Sequence, residues 1–131
     1  MIIVDTTVWI DYFRADDNPE TQWLERELAK RRIAITDLIL CEVLQGINDA
    51  DEFTFTRDRL LKLHIFETSS IGLAIAAAEN YALLRRQAYT VRKTIDCLIA
   101  TFCIRGRHSL LHRDRDFHPF EKVLGLAVVH A

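Results

Sequence analysis

Residues 2–13 read IIVDTTVWIDYF, and this stretch decides the fold. Ile2-Ile3-Val4 is short and wholly apolar, the pattern of a strand covered on both faces. Thr6 or Thr7 is then placed to cap a helix running through Trp9, Ile10, Asp11, Tyr12 and Phe13. A covered strand that passes directly into a helix is the start of an α/β arrangement.

The same alternation recurs downstream. Pro19, after Asn18, opens a helix through Trp23, Leu24 and Leu28. Ile33-Ala34-Ile35 is a second strand, with Thr36 or Asp37 capping a helix that carries Leu40, Glu42, Val43 and Leu44 and stops near Gly46. Asp51 to Leu63 reads as a helix, Ile65-Phe66 as a third strand, and Ile71 to Tyr89 as a long Ala/Leu-rich helix. Thr94 is expected to cap a further helix, with Asp96 in its first turn and Cys97, Leu98, Ile99, Phe102 and Cys103 behind it. Leu110-Leu111 and Ala127-Val128-Val129 supply closing strands. Alternating strands and helices predict an α/β fold of three layers, with roughly five short strands in a mostly parallel sheet.

Composition fits that frame. The chain has 131 residues, 50% apolar and 27% charged, with a formal net charge of −2. The length suits a single domain over residues 1–131. A domain near this size buries roughly two-thirds of its unfolded surface, so it needs no metal or disulfide staple to fold. The apolar content argues against disorder, and near-neutrality argues against wrapping a long duplex by bulk charge. A local basic patch stays open, because 13 of the 17 cationic residues are Arg. Cys41, Cys97 and Cys103 form no CxxC pair and sit in apolar stretches, which reads as buried thiols in a reducing compartment. The start lacks a basic n-region, and the apolar run from Ile71 to Ala78 is far below the roughly 18 residues of a membrane span. The expectation is a soluble cytoplasmic protein with no membrane partner.

In open parallel sheets, ligands bind outside the carboxyl ends of the strands. Acidic residues stand there: Asp5 follows the first strand, and Asp114 and Asp116 follow Ser109-Leu110-Leu111. Asp96 lies in a helix's first turn, where backbone N–H groups favour an anion. Glu42 lies within an otherwise apolar helix, an expensive place for an unpaired carboxylate. Two carboxylates about 4 Å apart repel by roughly 4 kcal/mol at an effective dielectric near 20. Convergence of all these acids therefore demands protons or a cation. Oxygen-only ligands select hard cations, so Mg²⁺ or Mn²⁺ is the natural occupant, and its chemistry would be phosphodiester hydrolysis.

Each acid also has a plainer explanation. Asp5 could cap the first helix, Asp96 could complement a helix dipole, Glu42 could occupy the solvated face of an amphipathic helix, and Asp114 and Asp116 could pair with Arg113 and Arg115. Other α/β sites are excluded by the text. There is no G-x-x-x-x-G-K-[ST] loop, no G-x-G-x-x-G turn and no G-x-S-x-G elbow, since all four glycines are isolated. Thr7 stands where an aspartyl-phosphate phosphatase would want a second Asp. His112 reads as a strand-end residue with a hydrogen bond. The pairs Arg85-Arg86, Arg92-Lys93, Arg105/Arg107 and Arg113/Arg115 are solvated faces by default, though two of them flank Asp96 and Asp114 and Arg suits phosphate. Trp9, Tyr12, Phe13 and Trp23 divide between core packing and a partner groove, and periodicity does not separate them.

Asp5 in IIVDTTVWIDYF, Glu42 in LILCEVLQGI, Asp96 in TIDCLIATFC, and Asp114 and Asp116 in LLHRDRDFHPF together resemble the PIN-domain ribonucleases. More narrowly, they resemble the VapC toxins of bacterial toxin–antitoxin pairs, in order and over essentially the whole chain. The resemblance implies a PIN-like α/β/α sandwich and a Mg²⁺- or Mn²⁺-dependent endoribonuclease that arrests growth or translation. It implies a cognate VapB-type antitoxin seated in a hydrophobic groove, a homodimer, and promoter DNA bound only indirectly through the antitoxin. Asp5 and Asp96 match the family's principal metal ligands, Glu42 its helix glutamate, and Asp114 or Asp116 its final acid, with strand-end proximity favouring Asp114. His112 stands where the family often has Thr or Ser. Arg92, Arg113 and Arg115 are candidates for orienting the RNA backbone. Two other functions fit the same residues: a non-catalytic PIN-like interaction module, and a DNA-directed metal-dependent nuclease.

Overall fold

β1 (Ile2–Val4) lies at the centre of a five-stranded sheet, paired in parallel with β2 (Ile33–Thr36) on one side and β4 (Ser109–Leu111) on the other. β3 (His64–Phe66) extends the sheet beyond β2, and β5 (Ala127–Val128) extends it beyond β4. The order is β3-β2-β1-β4-β5 and every pairing is parallel. The computed structural model describes residues 1–30 and 32–131, and every statement of absence below refers to these.

This order dictates the layers. The steps β1→β2→β3 move one way across the sheet, and they carry α1 (Thr6–Phe13), α2 (Pro19–Glu27), α3 (Asp37–Gln45) and α4 (Ala50–Leu60). The chain then jumps back over β1 and moves the other way, carrying α5 (Ile71–Arg86), α6 (Thr94–Gly106) and α7 (His118–Leu124). Right-handed crossovers put connections that run in opposite directions on opposite faces. The helix contacts divide accordingly: α1 packs on α2 and α3, and α3 on α4, while α5 packs on α6 and α7. Both faces of the central strands are thus covered, and Ile3, Val4, Ala34, Ile35, Leu110 and Leu111 are fully buried. No described helix is long and apolar enough to cross a membrane.

Helix starts and stops differ from the expectations at identifiable residues. Asp5, the alternative to Thr6 or Thr7, is the N-cap of α1, its side chain accepting from the Thr7 N–H. A carboxylate one residue earlier outcompetes the hydroxyls because its extended backbone turns it onto the free amides. Thr94 is the first residue of α6 and not its cap; Lys93 precedes it and makes no capping bond. Asp49 caps α4, which ends at Leu60 instead of continuing to Leu63. α5 stops three residues short of Tyr89, in a turn described below. A short 3₁₀ turn (Arg115–Phe117) and α7 were absent from the reading of the sequence altogether. Cys97 and Cys103 are buried as expected, but Cys41 is exposed. α3 buries Ile39 and Val43, one turn apart, which leaves position 41 on the opposite face.

Candidate metal centre

The strand order reverses between β1 and β4, and their carboxyl ends diverge into the crevice where such folds bind ligands. Asp5 leaves β1 at that point. Its N–H donates to the Leu111 carbonyl at 2.9 Å, which ties the crevice across the strand ends. Its Oδ2 accepts from the Thr7 N–H at 3.1 Å and the Thr7 hydroxyl at 2.7 Å. That hydroxyl in turn accepts from the Arg113 N–H at 3.1 Å, so the β4 exit loop is fastened to the start of α1. The other oxygen, Oδ1, is buried and has no partner. The cap therefore uses one oxygen of the carboxylate and leaves the other buried without a partner.

Glu42, half-buried on α3, accepts from the Thr6 hydroxyl at 2.8 Å. Asp96, 5% exposed, projects from the first turn of α6 with Oδ2 buried and unpartnered. Asp114 caps the 3₁₀ turn, its Oδ1 accepting from the Asp116 N–H at 2.9 Å, and its own N–H donates to His112 Nδ1 at 3.1 Å. One carboxylate oxygen from each of Asp96, Asp114 and Asp116 lies within 4.8 Å of the others. The choice between Asp114 and Asp116 is thus not forced by geometry, since both reach Asp96.

The electrostatics record what this convergence costs. Burial pushes Asp96 up to about 7, helped by Asp5, Asp114 and Glu42 and opposed by Lys93. Burial likewise pushes Asp5 up to about 6, against its bonds from Thr7, with Glu42 adding to the rise. His112 is pushed down to about 4, chiefly by burial and then by His118, so its imidazole is neutral at pH 7. Lys93 offsets only part of the rise at Asp96, and the orphaned oxygens of Asp5 and Asp96 bond no cation among the described residues. An all-oxygen donor set of this kind fits a hard divalent cation.

The candidate RNA-contacting arginines are not equivalent. Arg113 is turned toward the α1–α2 side, with NH1 3.3 Å from Asp11 and Nε 3.7 Å from Glu20. Arg92 and Arg115 are exposed and make no ion pair among the described residues. Sequence reasoning treated Thr6 and Thr7 only as caps, whereas both bond to site carboxylates. The signal was the Asp-Thr-Thr run directly after a strand, two hydroxyls within reach of any acid held there.

Residues 2–123 match the PIN domain family. A VapC ribonuclease of Mycobacterium bovis and ribonuclease VapC11 of Mycobacterium tuberculosis are each 36% identical over 131 residues, covering 96% of this chain and of their own. Among solved structures, VapBC2 from Rickettsia felis, bound to a DNA fragment from its promoter, matches with a TM-score of 0.78 at 19% identity over 98% of both chains. VapC20 of Mycobacterium tuberculosis, a sarcin-ricin loop cleaving toxin, matches with a TM-score of 0.72 at 16% identity over the full length of both. At those identities the two structures speak for the fold.

Proposed function

The chain belongs to the PIN domain family, and within it to the VapC ribonucleases, and from that premise we propose that it is a divalent-cation-dependent endoribonuclease, the toxin of a toxin–antitoxin pair. One observation carries the proposal: Asp96, Asp114 and Asp116 converge within 4.8 Å, beside orphaned oxygens of Asp5 and Asp96. Asp5, Asp96, Glu42 and Asp114 would hold Mg²⁺ or Mn²⁺, with Asp116 as a further acid of the site. Bound there, such a cation supplies a water acidic enough to act as nucleophile near neutral pH, together with positive charge at the phosphoryl oxygens.

The chain's own residues do the rest. The Thr7 hydroxyl fixes the orientation of Asp5 and leaves Oδ1 for the site, and the Thr6 hydroxyl does the same for Glu42. Arg115 and Arg92 would meet the RNA backbone, while Arg113, paired with Asp11 and Glu20, would order the loop that bears Asp114. The catalytic unit is a single domain over residues 1–131, acts in the cytoplasm and forms a homodimer.

The antitoxin, of VapB type, would occupy a cavity of about 750 Å³ between α1, α2 and α4. Tyr12, Phe13 and Phe55 give it apolar walls, and Arg59 stacks over Phe55 at 5.6 Å. Aromatic and Arg side chains are the common anchors of protein interfaces. Trp9, at 2% exposed, belongs to the core behind this groove. Promoter DNA would be reached only through the antitoxin. The test is cleavage of labelled RNA and labelled single-stranded DNA with Mg²⁺, with Mn²⁺, with EDTA and by Asp96→Asn. Cleavage of RNA alone, lost in EDTA and in the variant, is expected; RNA cleavage that survives both would refute the reading.

A further inference from the structure

Beside the carboxylates lies a cleft of about 690 Å³, walled by the α5–α6 connection on one side and by the 3₁₀ turn and α7 on the other. Its lining includes Tyr89, Arg115, Asp116, His118 and Lys122. Asp116 belongs both to this cleft and to the carboxylate cluster, so a chain lying across the cluster continues into the cleft. Its remaining acid, Glu121, is engaged by His130 at 2.7 Å. With Asp116 given to the cluster and Glu121 to His130, the cations Arg115 and Lys122 dominate the walls.

Tyr89 is held, not hanging. α5 closes with the Ala88 N–H on the Arg85 carbonyl at 3.0 Å and the Tyr89 N–H on the Leu84 carbonyl at 2.9 Å. These are the two bonds of a Schellman motif, and they require a left-handed residue at position 88. That residue is Ala, at φ 67°, and not the usual Gly. The chain therefore tolerates a strained backbone to set the direction in which Tyr89 leaves the helix. Unpaired nucleotides are recognised by stacking on aromatic faces with cations along the backbone. One half-buried aromatic, fixed at its Cα and flanked by Arg and Lys next to a phosphodiester-cleaving site, meets that requirement.

We propose that this cleft is the subsite for an unpaired RNA nucleotide next to the scissile phosphate, with Tyr89 as the platform for its base and Arg115 and Lys122 as the contacts to its phosphate. This rests on the ribonuclease reading above. Tyr89→Leu keeps apolar bulk but removes the ring. It should raise KM for a short single-stranded RNA by about 5- to 150-fold, the usual range for losing one base–aromatic stack, with kcat little changed. Tyr89→Phe should behave as wild type. RNA carrying 2-aminopurine at the position beside the cut should be quenched on binding in EDTA by wild type and Tyr89→Phe, but not by Tyr89→Leu. Lys122→Ala, at an exposed position in the last turn of α7, should reduce the slope of log K against log salt by about 0.7. If wild type cleaves RNA while Tyr89→Leu keeps its KM and its quenching, or while Lys122→Ala keeps the slope, the subsite is wrong and the nuclease reading stands. Tyr89-dependent quenching without any cleavage leaves the subsite and removes the nuclease. Protein that neither binds nor cleaves RNA overturns both.

Discussion

Asp96 is a carboxylate that the fold holds against its own preference for charge. Its pKa rises from 3.8 to about 7, so between those values the folded chain keeps a proton that the unfolded chain has released. Stability is then fully present below about pH 4 and is lost as pH rises toward 7. Asn mimics the protonated form at every pH. In EDTA, Asp96→Asn should therefore be more stable than wild type by up to about 4 kcal/mol at pH 7.5, and nearly equal to it near pH 4. Urea unfolding at the two pH values measures this, and an equal difference at both would remove the electrostatic explanation. Asp5, Glu42, Asp96, Asp114 and Asp116 were legible as candidates, because residues following strands and an acid in an apolar helix are visible in one dimension, and three of them, Asp96, Asp114 and Asp116, lie within 4.8 Å of one another. Which oxygens are spent elsewhere was not readable. The Asp5 bond to Thr7 is the local cap of α1, the Glu42 bond to Thr6 depends on how α3 packs on α1, and the approach of Asp116 to Asp96 on how the 3₁₀ turn packs against α6.

At the scale of elements, Asp5 shows why a cap and a ligand are not competing explanations. Its Oδ2 serves α1, and its Oδ1 is buried without a hydrogen-bond partner. Asn caps as well as Asp, and Ala does not, so Asp5→Asn and Asp5→Ala share the loss of charge and differ in the cap. Both should lose RNA cleavage, and Asp5→Ala should be the less stable by about 1 kcal/mol in thermal denaturation. Equal stability of the two would mean that α1 does not depend on this cap. The turn at Ala88 gives a second prediction. A left-handed Ala costs roughly 1 kcal/mol relative to Gly, so Ala88→Gly should gain a few tenths to about 1 kcal/mol, as measured by urea midpoint. A loss would mean that the greater freedom of Gly in the unfolded chain outweighs the relief of strain. The missed 3₁₀ turn and α7 also belong to this scale. Residues 112–120 run from four consecutive charges, Arg113 to Asp116, into Phe117 and Phe120 with no helical period, and α7 is only seven residues long. Its punctuation was nevertheless present, with Pro119 in the first turn and Gly125, at φ 75°, as the left-handed stop.

Alternation of strand and helix was enough to predict the layers, because right-handed crossovers leave few ways to arrange them. It could not say which outer faces stay bare, since a helix with apolar residues all round reads alike whether it meets its own chain or another. α5 is that case. It buries Leu73, Ala77 and Leu84 inward, yet Ile71 is 81% exposed and Ile75, one turn on, is 56% exposed. Ala74 and Ala78 lie exposed beside them, so a second helix could approach closely. Single exposed apolar residues are ordinary, but two large ones in register on a helix with small neighbours are the seam expected of a helix–helix interface. The proposed homodimer is therefore expected to form through α5. Ile71→Lys with Ile75→Lys should convert it to monomer in sedimentation velocity, because burying either isoleucine contributes about 1.5–3 kcal/mol that lysine cannot supply. Phe55, 57% exposed in the groove assigned to the antitoxin, provides the contrast. Phe55→Lys should leave the dimer intact and weaken antitoxin binding instead. A dimer that survives the α5 substitutions but dissociates with Phe55→Lys would exchange the two surfaces, placing self-association in the aromatic groove and the antitoxin on α5.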